Sequence, residues 1–197
     1  MTQAKLKPFT FAEFLERNDA DGIRYDLLAD GSLVAVPSEA EINSAIIMML
    51  LGKLMPFIQL RLAKIGVLEL EVEPVGDSKR NRRPDLAILE PEHLAIDSLK
   101  KRTALFLGAL PPKFVVEVVS PGNPDSENYK RNYLWKRQQY QAWGIPEYWI
   151  IDPHQLQVTV CLLVNDAYQE KTYLGSELIN SQAFPELSIT VNELLTI

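Results

Sequence analysis

The run KFVVEVVS, from Lys113 to Ser120, constrains the fold more than any other stretch. Its nearly unbroken β-branched content is what a strand buried on both faces of a sheet requires, with helices covering both faces. That points to a layered α/β protein. On such a strand Val115, Glu117 and Val119 share one face, and Val116 and Val118 share the other. Glu117 is then at least partly buried. Taking an ion out of water costs several kcal/mol even after relaxation, so its carboxylate needs a cation, a donor network or a metal.

The rest of the chain supplies the layers. FTFAEFLER (Phe9 to Arg17) has the spacing of a short amphipathic helix, with Thr10 as cap and Glu13 three residues on. GIRYDLLADGSLVAVP (Gly22 to Pro37) reads as a β-hairpin turning at Asp30-Gly31. Ser38 is placed to cap a long helix reaching Lys64, with Glu41 completing a capping box and Pro56 as a kink. Three strand-like runs follow: VLELEVEPV (Val67 to Val75), RPDLAILE (Arg83 to Glu90) and KFVVEVVS. PEHLAIDSLKKRTALFLGAL, between the last two, fits no single pattern. A second helix is predicted from about Asp125 to Trp143, stopped by Gly144 and Pro146. EYWIID (Glu147 to Asp152) and QLQVTVCLLV (Gln155 to Val164) read as strands, and the tail as short strands plus a helical turn at Val191 to Leu195. The order helix, strand, strand, strand, helix, strand implies an α/β fold with a mixed sheet flanked by helices and an N-terminal β-hairpin. A chain of 197 residues suits one domain over 1–197: helix and hairpin at 1–37, core at 38–152, C-terminal strands at 153–197.

Charge and motifs narrow the function. A net charge of −6 argues against a protein that coats nucleic acid or an anionic membrane, though not against an enzyme that meets DNA only at a cleft. The single cysteine, Cys161, lies in an alternating apolar stretch and reads as a buried thiol in a reducing cytoplasm. AIIMMLL (Ala45 to Leu51) is far short of the ~20 residues that span a bilayer, and the N-terminus lacks the apolar segment of a signal peptide. His93 and His154 are read as loop residues too far apart for a zinc motif. Ser120 sits in VSPG rather than a nucleophile elbow and is read as ending its strand. No phosphate-cradling glycine motif occurs, so no nucleotide cofactor is expected. Tyr148 and Trp149 alternate as core residues of an ordinary strand.

Two further polar residues break their surroundings. Asp85 follows Pro84 at the start of a strand and shares a face with Ala87 and Leu89. Lys136 lies near the centre of a helical stripe about 80° wide formed with Tyr129, Tyr133, Tyr140 and Trp143. It either snorkels past the aromatics or reaches a buried acid. Two acids on neighbouring strands suit a hard divalent ion such as Mg²⁺, and a lysine beside them can orient or help deprotonate water, or neutralise charge on a phosphate oxygen. These parts describe metal-assisted phosphodiester hydrolysis. A buried Lys–Glu pair that only stabilises the fold would leave the same trace.

RRPDLAIL, FVVEVVSPGN and KRQQYQAWGIPEYWIIDP, with the hairpin RYDLLADGSLVAVP and the closing FPELSITVNELL, resemble the Uma-two family of restriction-endonuclease-like proteins. That family is placed in the PD-(D/E)XK nuclease superfamily. The resemblance implies a Mg²⁺- or Mn²⁺-dependent DNA endonuclease in which Asp85 is the acid of the PD motif and Glu117 the second acid. It implies that the Val118 carbonyl joins the metal shell. The lysine that the superfamily's plain pattern puts two residues after Glu117 is Val119 here, and Lys136, four residues before Tyr140, matches the family's helical lysine. Glu39, with Glu41 as neighbour, matches the acid that often opens the family's first long helix. Asp26 stands where many relatives carry glutamate.

KRNRR (Lys79 to Arg83) runs directly into Pro84-Asp85 and reads either as a solvated loop or as a phosphate clamp made by Lys79, Arg80, Arg82 and Arg83. Lys130, Arg131 and Arg137 point away from the aromatic stripe. A symmetric homodimer, paired through the exposed N-terminal hairpin, would suit cutting two strands. The competing expectation is a catalytically silent module of the same fold that binds nucleic acid or a protein partner.

Overall fold

The computed structural model describes residues 8–17, 23–35, 41–76, 78–119 and 127–196, giving backbone alone for Glu41 and for 127–132. In chain order the elements are α1 (Phe11–Glu16), β1 (Tyr25–Leu27), β2 (Leu33–Ala35), α2 (Glu41–Leu54), β3 (Ala63–Ile65), β4 (Glu69–Glu71), β5 (Asn81–Arg82), β6 (Leu86–Ile88), α3 (Asp97–Arg102), β7 (Ala104–Leu105), β8 (Phe114–Val118), α4 (Glu127–Trp143), β9 (Glu147–Asp152), β10 (Gln157–Val164), β11 (Ala167–Leu174) and α5 (Val191–Leu195). Six strands form a central mixed sheet in the order β11-β10-β9-β8-β6-β3. Only β8 and β9 run parallel in it, joined across the sheet by α4.

The alternation in β8 divides the core. Val116 and Val118 pack with Ile46, Leu50 and Leu54 of α2 and with Trp149. Val115 and Val119 face the other way, onto Tyr140 of α4 and Tyr148. Glu117 belongs to this second face and is 5% exposed. A three-stranded sheet, β5-β4-β7, covers the same side through Leu68, Leu70 and Val72.

Local signals explain most element ends. Thr10 caps α1 by accepting the Glu13 N–H while the Glu13 carboxylate accepts the Thr10 N–H, and Thr190 and Glu193 repeat the arrangement on α5. At the hairpin turn Gly31 has φ +80°, and the Asp30 carboxylate accepts the Ser32 N–H. The helix α4 ends at Gly144, whose φ is also +80°. Ser38, the expected cap of α2, lies outside the described residues.

Three expectations are corrected. The long helix does not bend at Pro56 and run on to Lys64. It stops at Leu54, Pro56 enters a 3₁₀ turn (Met55–Phe57), and the chain then supplies β3, the edge strand of the central sheet. A proline lacks the N–H that a continuing helix needs. VLELEVEPV alternates as expected, but its strand β4 joins the small sheet. The unassigned stretch divides into a 3₁₀ helix (Pro91–Ala95), α3 and β7. His93 lies in that 3₁₀ helix, not in a loop, fully buried, with Nε2 2.7 Å from the Leu110 carbonyl and Nδ1 accepting the Glu90 N–H. Cys161 is buried as expected, and burial pushes its thiol up to about 12. Tyr148 and Trp149 are core residues. No helix among the described residues is long and apolar enough to cross a membrane.

Candidate active site

Asp85 stands one residue before β6. The antiparallel register pairs Leu86 with Val116, so one further step sets Asp85 opposite Glu117. Its side chain extends the ladder: the carboxylate accepts the Val118 N–H at 2.6 Å. On its other side its carbonyl accepts the Gly66 N–H at 3.0 Å, just past β3. The two bonds fix Asp85 between the end of the central strand and the chain after β3. The short β6 and the proline before it leave Asp85 half-buried at the sheet's margin.

Glu117 receives its partners from α4. Lys136 Nζ donates to one carboxylate oxygen at 2.8 Å, and the Tyr140 hydroxyl donates to the other at 2.6 Å. Four residues is about one helical turn, so both side chains descend from the same face of α4. Lys136 reaches the acid rather than snorkelling past it, and its side chain keeps 29% of its exposure, so the pair touches solvent. Burial, then the adjacent Glu117 charge, pushes the Tyr140 hydroxyl well above the ordinary tyrosine range, so it stays a donor. The sequence placed Tyr140 in the aromatic stripe but gave it no role; its spacing from Lys136 was the available signal.

The basic run is not the solvated loop expected: its side chains are already engaged. Asn81 and Arg82 form β5. Arg82 is 3% exposed, and its Nε donates to the Gln139 side chain at 2.7 Å. Its Nη2 is buried with no hydrogen-bond partner. Lys79 is ion-paired with Asp26, and Arg83 with Glu69. Arg80 alone is exposed, with Nε on the Ala29 carbonyl. Acids on β1 and β4 absorb most of this charge, and nothing local in KRNRR reveals them. Gln139, which the sequence did not single out, ties the small sheet to α4: its Nε2 donates to the carbonyls of Glu73 and Lys79, both at 2.8 Å. Arg137 pairs with Glu170 on β11, away from Glu117. Glu39 and Ser120 lie outside the described residues, as do the side chains of Glu41, Lys130 and Arg131.

The donor set can be judged for a metal. Asp85, Glu117 and the main chain of Val118 offer hard oxygen ligands on adjoining strands, which suits Mg²⁺ or Mn²⁺ more than a soft ion. Among the described residues no group of three or more His, Cys, Asp and Glu side chains gathers as a metal centre. An ion at these two acids would therefore retain several waters, as Mg²⁺ commonly does.

Comparison with known proteins agrees with this picture. Residues 11–192 match the Uma2 family, described as "putative restriction endonuclease". A solved structure from Anabaena variabilis, a "putative nuclease belonging to DUF820", is similar at a TM-score of 0.64 and 18% identity, covering 96% of this chain and 98% of that one. At that identity the likeness concerns the fold: a mixed sheet flanked by helices. No curated protein matches the sequence.

Proposed function

Because the chain belongs to the Uma2 family of restriction-endonuclease-like proteins, we propose that it is an endonuclease hydrolysing DNA phosphodiester bonds with Mg²⁺ or Mn²⁺. The observation that carries this reading is the Lys136–Glu117 pair, which touches solvent, with Asp85 opposite Glu117 in the strand register and bonded to the next residue, Val118. Asp85 and Glu117 would hold the ion, with the Val118 carbonyl, and with Glu39 as a further candidate. A bound divalent ion would supply positive charge against the scissile phosphate. Lys136 positions the attacking water and helps remove its proton, or neutralises charge building on a phosphate oxygen. Tyr140 fixes the carboxylate rotamer of Glu117. The cytoplasm, where DNA and Mg²⁺ are both at hand, is the setting this reading implies.

The test is cleavage of plasmid DNA with Mg²⁺ or Mn²⁺ by wild type and by Asp85→Ala, Glu117→Ala and Lys136→Ala, with circular dichroism as a check on folding. Each variant should stay folded and lose metal-dependent cleavage. Full activity in Lys136→Ala would reject its role.

A second reading rests on the same pair. Both Glu117 oxygens already receive a donor, as they would in a silent module that uses the network for stability alone. Titration with Mg²⁺ and Mn²⁺ separates the two: an ion bound at the acids raises the melting temperature by mass action, and a silent module shows no shift.

A homodimer is part of the proposal, through a different surface from the hairpin first considered. Eight large apolar residues between Ile42 and Val67 are each 37 to 59% exposed, among them Met48, Met55 and Leu60. Their combined area is of the order of the ~800 Å² that one partner brings to a standard interface. Exposed apolar area of this size along α2 and the chain after it suits burial against a second copy.

A further inference from the structure

A cavity of about 450 Å³ opens beside β3, and its polar lining is one-sided. Lys64, Lys100 and Thr103 line it together with Leu94, Leu99 and two smaller apolar residues, and among the described residues no carboxylate does. Lys100 has a long, solvent-exposed ion pair with Asp97 at 4.0 Å, so the lysine charges facing the cavity are only loosely balanced. Each ammonium uses a main-chain carbonyl to fix its position: Lys64 Nζ donates to Arg61 at 2.6 Å and Lys100 Nζ to Ala95 at 3.1 Å. An ammonium has three donors, so both keep capacity for a ligand. Asp97 is well exposed and projects from the first turn of α3. Desolvation by partial burial holds the Lys64 ammonium below the ordinary lysine range.

The strand register relates the cavity to the acids. Lys64 pairs with Ala87, so the two side chains leave the same face of the sheet. Ala87 belongs to the face that carries Val115 and Tyr140. Asp85 stands two residues before it, with its carboxylate at the end of the ladder beside Val118. Two residues of strand span roughly 7 Å. Successive charges on one DNA strand lie about 3.4 Å apart along the helix axis. The cavity is therefore within reach of a phosphate one to three nucleotides from the one held at Asp85.

We infer that the Lys64–Lys100 cavity is a backbone phosphate subsite, which seats the DNA strand alongside the Asp85–Glu117 centre. The inference rests on the nuclease reading for its substrate class. Lys64 and Lys100 take a non-bridging phosphate oxygen each, Thr103 offers a hydroxyl, and the apolar floor accommodates the adjoining sugar. The expected KRNRR clamp is largely neutralised, so this pair is the better-placed cationic contact.

The experiment is binding of a fluorescein-labelled DNA duplex in EDTA, where cleavage cannot intervene, over a series of salt concentrations. Lys64→Gln/Lys100→Gln should weaken binding about tenfold or more at low salt and lower the log–log salt slope by about 2, one unit for each lost phosphate contact. Lys171→Gln, which removes one exposed lysine charge on β11, is the remote-site control and should leave both nearly unchanged. Lys64→Arg/Lys100→Arg, which keeps both charges, should restore the slope and guards against a folding defect in the glutamine variant. A glutamine variant that binds like the control, or a wild type that does not bind the duplex, overturns the subsite. Failure of the nuclease reading looks different: salt-dependent binding that needs the two lysines, with no cleavage on adding Mg²⁺ or Mn²⁺.

Discussion

At the scale of single residues, the site is organised by one carboxylate that could not stand alone. Glu117 is buried where the strand pattern put it, and its two oxygens receive an ammonium and a phenol from one helix. Removing the phenol's hydroxyl isolates its share. Tyr140→Phe leaves a buried carboxylate oxygen without its donor, and it should destabilise the protein by about 1–3 kcal/mol, read by urea unfolding. If Tyr140 holds the rotamer of a catalytic acid, cleavage in that variant should fall without being abolished. Glu117 and Lys136 were legible because each breaks a pattern that its neighbours make plain. Asp85 was legible from its proline and its strand. Gln139 was not, because a glutamine next to a tyrosine on a helix breaks nothing, and its importance comes from carbonyls some sixty residues earlier in the chain.

At the scale of elements, the small sheet is pinned to the rest by buried polar groups rather than by apolar contact alone. Gln139→Ala would leave the Arg82 Nε and two main-chain carbonyls short of partners, costing roughly 2–4 kcal/mol in urea unfolding and exposing the segment around Glu73 to Arg80 to proteolysis. Glu69 on β4 makes a pH prediction. Burial raises its carboxyl above the ordinary value of 4.5, outweighing the lowering by Arg83 and Asn81. Below its ordinary value both folded and unfolded states carry the proton, and the shift contributes nothing. As pH rises through that value the unfolded chain releases its proton first, so the folded state loses stability until its own raised value is passed. Wild type should therefore lose stability relative to Glu69→Gln between pH 4.5 and pH 7, as denaturant midpoints at the two pH values would report. β8, α4, β9 and the Thr10 cap of α1 could be read from the sequence because their signals are local and strong. The edge strand β3 could not: three residues after a helical-looking run are strand only because β6 is there to pair with them.

At the scale of the whole molecule, the distribution of apolar exposure is uneven. The outer side of α2 and the chain leading from it into β3 carry a patch that a monomer would leave in water. Met48→Lys/Met55→Lys should shift sedimentation from dimer to monomer and leave the circular dichroism spectrum unchanged, since neither residue lies in the core. A wild-type protein that sediments as a monomer at micromolar concentration would remove the dimer from the proposal. The cysteine belongs at this scale too. A thiol whose value is pushed up to about 12 and which is buried in the sheet should be modified by thiol reagents at pH 8 only on unfolding.

The parallel pairing of β8 with β9 has one more consequence. A strand can return parallel to its neighbour only through a long crossover, and here that crossover is α4. The acid, the amine and the phenol therefore travel on one continuous β–α–β length of polypeptide, and only Asp85 must be recruited from outside it. Such a portable cassette can be inherited as a piece while loops and edges around it drift, and on the proposed reading it would fall silent once the borrowed aspartate is lost.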